Sequence, residues 1–148
     1  MTVENRRRVH FNLSPLAFHG WADQYLQEYR DLAQSSHASP APYLLLCRVI
    51  ELELKAWHRQ RTKQNVLADR FRHDLLASYR ALPAPHRILS IDELDLLTRV
   101  NEIYSEVGLD QLDGECIGRS FELPRELAAL KALAHRVMEH GDSLNLAS

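Results

Sequence analysis

The chain is short of the residues that turn a sheet or staple a secreted fold. Its five glycines fall at positions 20, 108, 114, 118 and 141, so residues 21–107 contain none. Tight turns between strands depend on glycine, and this gap argues against a multi-stranded sheet. Cysteine is nearly absent too. Cys47 and Cys116 are too few for a disulfide scaffold and lack the C-x-x-C spacing of a zinc or redox site, so a reducing cytoplasm is the expected setting. No apolar run reaches membrane-spanning length. The N-terminal MTVENRRRVHFNL has three consecutive arginines with no apolar segment behind them, so neither a span nor a signal peptide is expected. Nor is charge of one sign in excess: 18 Lys and Arg face 20 Asp and Glu, a net charge of −2. A nucleic-acid partner would have to use a local patch.

Motifs for bound groups are missing as well. Di-iron bundles use glutamate and histidine three residues apart on one helix face, and no E-x-x-H occurs among the eight histidines. H-E-x-x-H is absent, and His135 and His140, five apart, fall on different helix faces. There is no G-x-G-x-x-G, no G-K-[ST] and no G-x-S-x-G. Neither a metal nor a cofactor is expected.

What remains is helical periodicity. At 148 residues with 45% hydrophobic content the chain suits one core, and an all-α, antiparallel bundle of about five helices in a single domain is expected. Residues 1–13 read as a basic arm, 14–141 as the bundle and 142–148 as a frayed tail. Ser14-Pro15 opens a helix whose stripe is Phe18, Trp21, Ala22, Tyr25, Tyr29 and Leu32. SSHASPAP ends it, because Pro40 and Pro42 cannot continue a helix. YLLLCRVIELELKAWH is apolar on nearly every side, which predicts a second helix surrounded by the others. Leu67, Phe71, Leu75, Tyr79 and Leu82 keep helical spacing and predict a third helix, stopped by Pro83 and Pro85. Ser90 and Glu93 form a capping box for a fourth through Leu94, Leu97, Val100, Ile103 and Tyr104. Residues 107–123 predict a long loop. Pro124 opens a fifth helix, carrying Leu127, Leu130, Leu133, Ala134 and Val137, with Gly141 as its stop.

Charge is uneven along this plan. Residues 1–90 hold thirteen Lys or Arg against eight acids, and residues 91–148 hold five against twelve. The basic share gathers in the hinge after the second helix, at Arg59, Arg61, Lys63, Arg70 and Arg72, a plausible anion patch. Two short motifs carry the remaining signal. In ELELKA, Glu51 and Lys55 stand one turn apart in the favourable order on an otherwise apolar helix, either as a structural ion pair or as a pair facing a ligand. In RFRHDLL, His73 and Asp74 sit near the start of the third helix. Asp74 suits a cap, and His73, if it faces Glu51, suits a general base or a phosphate contact.

YLLLCRVIELELKA and FRHDLLASYRAL together resemble the helix ending in E-x-x-L-K-A and the G-H-D-L turn of the HEPN superfamily, helical domains associated with nucleotide or RNA transactions. GRSFELP, with Arg119, is similar to the segment before that superfamily's final helix. The resemblance implies a four- or five-helix bundle that dimerises, beside a nucleotidyltransferase partner or as a ribonuclease toxin. Arg72 stands where the superfamily has glycine, and the late Arg and His of its ribonucleases, with four to six residues between them, have no counterpart in context: Arg136 and His140 have three between them, one short. The expectation is therefore a HEPN-like module without catalysis that binds a nucleotide, RNA or a partner protein through Glu51, Lys55, Arg59, Arg61, Lys63, Arg70, Arg72, His73, Asp74 and Arg119. A ribonuclease using His73 and a purely structural dimerisation module are the alternatives.

Overall fold

The computed structural model describes residues 13–33, 41–107 and 123–146. Six α-helices occupy them: α1 Pro15–Ala33, α2 Ala41–Arg59, α3 Gln64–Arg70, α4 Leu75–Arg80, α5 Ile91–Val107 and α6 Leu123–Ser143. A single 3₁₀ turn, Ala84–His86, links α4 to α5, and there is no strand among the described residues. No helix described is long and apolar enough to cross a membrane. The expected loop at 107–123 falls, but for its two helical end residues, outside the described residues, with Cys116 and Arg119, as does most of the N-terminal arm.

The all-round apolar character of α2 has its physical consequence: fourteen of its nineteen residues are buried. The exceptions, Ala41, Leu45, Arg48, Lys55 and Arg59, recur at helical spacing, so one narrow stripe of α2 reaches solvent. The other helices wrap the rest of it. Leu13 accepts from Arg59, His19 meets Glu53, and Trp21 and Tyr25 lie against Arg48, so contacts run backward along α2 as they advance along α1. That order makes the two helices antiparallel. Arg99 to Glu126 and Arg136 to Glu93 give the same sense for α5 against α6. Leu26 and Tyr29 of α1, Leu75 and Tyr79 of α4, Leu97 and Val100 of α5, and Leu130 and Leu133 of α6 complete one hydrophobic cluster with α2.

Local chemistry sets most boundaries. Ser90 Oγ accepts from the Glu93 amide at 3.1 Å while Glu93 Oε1 accepts from the Ser90 amide at 2.9 Å, the reciprocal cap that the S-x-x-E pattern predicts. The expected third helix is instead two. The chain breaks at Phe71–His73, where Arg72 adopts φ 47°, and restarts at Leu75 with Asp74 as N-cap, its carboxylate accepting from the Ala77 amide at 3.0 Å. Apolar spacing hides this break, because Phe71 and Leu75 keep a four-residue interval across it. The two halves nevertheless face different surroundings: Leu75, Tyr79 and Leu82 join the main cluster, whereas Leu67 and Phe71 are buried outside it.

The C-terminal expectations are corrected too. Gly141 does not end α6, which continues to Ser143. A Cβ there would lie 1.7 Å from Glu53 Oε1 and 3.0 Å from His19 Nδ1, so glycine is present for close approach of a buried carboxylate. Residues 142–146 are not a frayed tail: Asp142 bonds His19 at 2.8 Å, and Leu146 is buried.

Candidate functional site

Glu51 and Glu53 are two residues apart on α2 and so project to opposite sides of it, each with a basic or aromatic residue one turn later. Each is the centre of a separate polar cluster.

Glu51 is buried beside the exposed stripe. Arg48, one turn earlier, donates to its Oε2, Lys55 Nζ lies 3.7 Å from the same oxygen, and Tyr104 of α5 donates its hydroxyl to Oε1 at 3.3 Å. The fourth partner comes from the Arg72 turn: His73 Nδ1 lies 2.6 Å from Glu51 Oε1. Burial alone would raise the Glu51 carboxyl, but the hydrogen bond from His73 and the charges of Lys55 and Arg48 outweigh it and hold it below its ordinary value. Burial conversely lowers Lys55, with Glu51 opposing and Arg48 adding to the effect. Tyr104 stays a phenol, pushed up by burial and by the carboxylate beside it.

The turn that brings His73 here is clamped from α5. Asn101 accepts from the Leu75 amide at 2.7 Å and donates to Asp74 Oδ1 at 2.9 Å, while the His73 ring meets the Tyr104 ring edge-on at 5.8 Å. Asp74 is thereby committed to structure. His73, with a third of its side chain exposed, has no hydrogen bond to Nε2 among the described residues. The carboxylate therefore fixes the ring through one nitrogen. Arg48 closes the opposite side of the cluster, its guanidinium 5.1 Å from the Trp21 ring centre and 5.8 Å from that of Tyr25.

The remaining basic residues do not converge on this spot. Arg59 is tied to the carbonyls of Leu13 and Thr62 at 3.0 and 3.4 Å. Arg70 lies over the Phe71 ring, near His58, whose Nε2 bonds the Ser78 carbonyl at 2.7 Å. Arg61 acts on His86, in another part of the surface. Lys63 is exposed before α3, and Arg72 is exposed next to His73. The structure thus gathers Glu51, Lys55 and His73, with Arg72 as their neighbour in the turn. Arg48 and Tyr104 belong with them and escape sequence reading, although Arg48 sits three residues before Glu51, a spacing that helix geometry alone makes a contact.

The second cluster has no counterpart among the sequence motifs. Glu53, fully buried, has both oxygens within 2.8 Å of His19 Nδ1 and accepts from Trp57 Nε1 at 3.0 Å, while His19 Nε2 reaches Asp142 at 2.8 Å. A neutral imidazole cannot donate from both nitrogens, so the cluster holds an extra proton. Burial raises Glu53. It would by itself lower His19, but Glu53 and Asp142 outweigh it and raise the imidazole. Both directions mean that the folded chain holds this proton more tightly than the unfolded chain. The contribution of His19 is therefore fully present below its ordinary 6.5 and is lost as pH rises through its higher folded value, and that of Glu53 begins to be lost above its ordinary 4.5. Urea midpoints are expected to fall as pH rises above about 6.5 in the wild-type chain, and His19→Asn is expected to flatten that slope. An unchanged slope in the variant would remove His19 from the account.

No group of three or more His, Cys, Asp or Glu among the described residues is arranged to hold a metal ion. No family model, curated protein or solved structure matches the chain.

Proposed function

We propose that the chain is a HEPN-like helical module that binds a nucleotide or RNA through a phosphate group, at the face where the Arg72 turn holds His73 over Glu51. The observation that carries this reading is the orientation of His73: its Nδ1 is fixed on a buried carboxylate that Lys55 shares, and its Nε2 has no hydrogen bond among the described residues. Arg48, Lys55 and an imidazole share one carboxylate here, so the cluster carries surplus positive charge that suits an anion. The motifs ELELKA and RHDLL, which carry the superfamily resemblance, are the segments that meet in this cluster. A cytoplasmic homodimer, or a complex with a partner such as a nucleotidyltransferase, belongs to the same proposal.

A second reading has support from the same pair. A carboxylate on Nδ1 also orients an imidazole as a general base, and His73 would then take the proton of a ribose hydroxyl in RNA cleavage.

One experiment separates them: a mixed-sequence single-stranded RNA is incubated with the chain at two salt concentrations, and both retention and RNA integrity are read. Retention that weakens with salt, with intact RNA, is expected. Arg72→Gly is the informative variant, because glycine accepts φ 47° without strain. It is expected to raise stability by about 1 kcal/mol while reducing the salt slope of binding by about 1. Cleavage abolished by His73→Ala would move the assignment to a ribonuclease. No retention and no cleavage would leave a protein-interaction role.

A further inference from the structure

On the other side of α2, the Trp57 indole that serves Glu53 also borders a pair of histidines. His86 ends the 3₁₀ turn before α5, and His140 lies in the last turns of α6. His86 Nδ1 and His140 Nε2 are 3.2 Å apart, with the rings inclined at 71°. The Trp57 ring centre is 4.8 Å from that of His140 and 6.0 Å from that of His86. In this contact one nitrogen donates and the other accepts, so a second proton would set two N–H groups against each other.

The charged surroundings are one-sided. Arg61, from the turn after α2, acts on His86, which in turn acts on His58; Arg136 of α6 acts on His140. The neighbouring carboxylates have other partners: Glu93 of α5 pairs with Arg136 at 3.2 Å, and Glu53 is held by His19 and Trp57. A half-buried imidazole pair on which guanidinium groups act, with no carboxylate bonded to it among the described residues, disfavours a metal cation and suits an anion.

We infer that His86, His140 and Arg61 form a second site, for a tetrahedral oxyanion such as a phosphate group, which fills as the histidine pair takes up protons. It stands independently of the His73 reading. Burial first, then the neighbouring cations, hold both imidazoles below their ordinary value, so the pair is neutral at neutral pH when no anion is present. An anion that accepts from both imidazoles as their mutual contact opens rewards their protonation, and by linkage its affinity rises on acidification, about tenfold per pH unit for each proton taken up.

The test is calorimetric titration of the full chain with inorganic sulfate, whose charge is constant between about pH 5.5 and pH 7.5. Tighter binding at the lower pH, with proton uptake shown by heats that depend on the buffer, is expected. His86→Gln should abolish the pH dependence. Arg61→Ala, at an exposed position that does not threaten folding, should weaken the acid-strengthened binding about tenfold. A parallel titration with a short single-stranded RNA distinguishes the source of the anion. Acid-strengthened RNA binding lost in His86→Gln assigns a backbone phosphate, and an effect confined to sulfate assigns a free ion. Absent sulfate binding, binding insensitive to pH, or binding that survives both His86→Gln and Arg61→Ala would overturn the site.

Discussion

Glu51→Ala is expected to destabilise the chain by about 4 kcal/mol, one of the largest losses available to a single substitution here. The removed carboxylate is the shared partner of Arg48, Lys55, His73 and Tyr104, and it is buried. Its loss leaves two half-buried cations with like charges, removes the acceptor of Tyr104, and takes from the turn its polar tie to α2 through His73. Glu51→Gln keeps an acceptor for His73 and Tyr104 but not the charge, and an intermediate loss of about 2 kcal/mol is expected. The two variants also separate in acid. Because Glu51 is held below its ordinary value of 4.5, its ionised form contributes fully above that pH, and the contribution is lost as pH falls through the lower folded value. Urea midpoints followed downward from about pH 5 should therefore drop more steeply in the wild-type chain than in Glu51→Gln. Equal slopes would mean that Glu51 is not an ionised hub.

Gly141→Ala is expected to cost about 3 kcal/mol. Adding one methyl group to a helix interior normally stabilises it, so the sign depends on what the methyl meets. Gly20, exposed in α1, supplies the control: a Cβ there meets nothing within 4 Å, and Gly20→Ala should gain about 0.5–1 kcal/mol. At Gly141 the new carbon would overlap Glu53 Oε1, and that carboxylate is fixed by His19 and Trp57 with no exposed side to move into. In a Glu53→Ala background the obstacle is gone, and the cost of Gly141→Ala should largely disappear. Thermal or urea unfolding of the four chains measures this coupling directly. Additive losses would show that Glu53 and Gly141 do not share the space.

The contrast between these two sites also shows what can be read from residue order. Features set within one or two helical turns are legible: the Ser90–Glu93 cap, the Glu51–Lys55 pair, and the burial of α2 from its all-round apolar pattern. The meeting of His73 with Glu51 is within reach because both motifs are short, charged and set among apolar residues. The break between α3 and α4 is not. Its apolar interval is that of an unbroken helix, and arginine rather than glycine occupies the left-handed position. A glycine there would mark the turn, whereas Arg72 is held in place by the Asp74 cap and by the clamp that Asn101 sets on Asp74 from 27 residues away in sequence. The role of Gly141 is hidden for the same reason, since it depends on a carboxylate contributed by a distant helix. Glu53 lies in the ELELKA motif, but its cluster partners His19 and Asp142 come from opposite ends of the chain, and no local spacing connects them.

The most direct test of the proposed function is the ¹⁵N signal of the His73 ring during titration with a short single-stranded RNA. The account predicts that Nδ1 stays bonded to Glu51, that the Nε2 signal moves and saturates with RNA, and that the movement shrinks in Lys55→Ala. RNA binding with both His73 nitrogens unmoved, or a saturating RNA concentration that produces no binding, would contradict it.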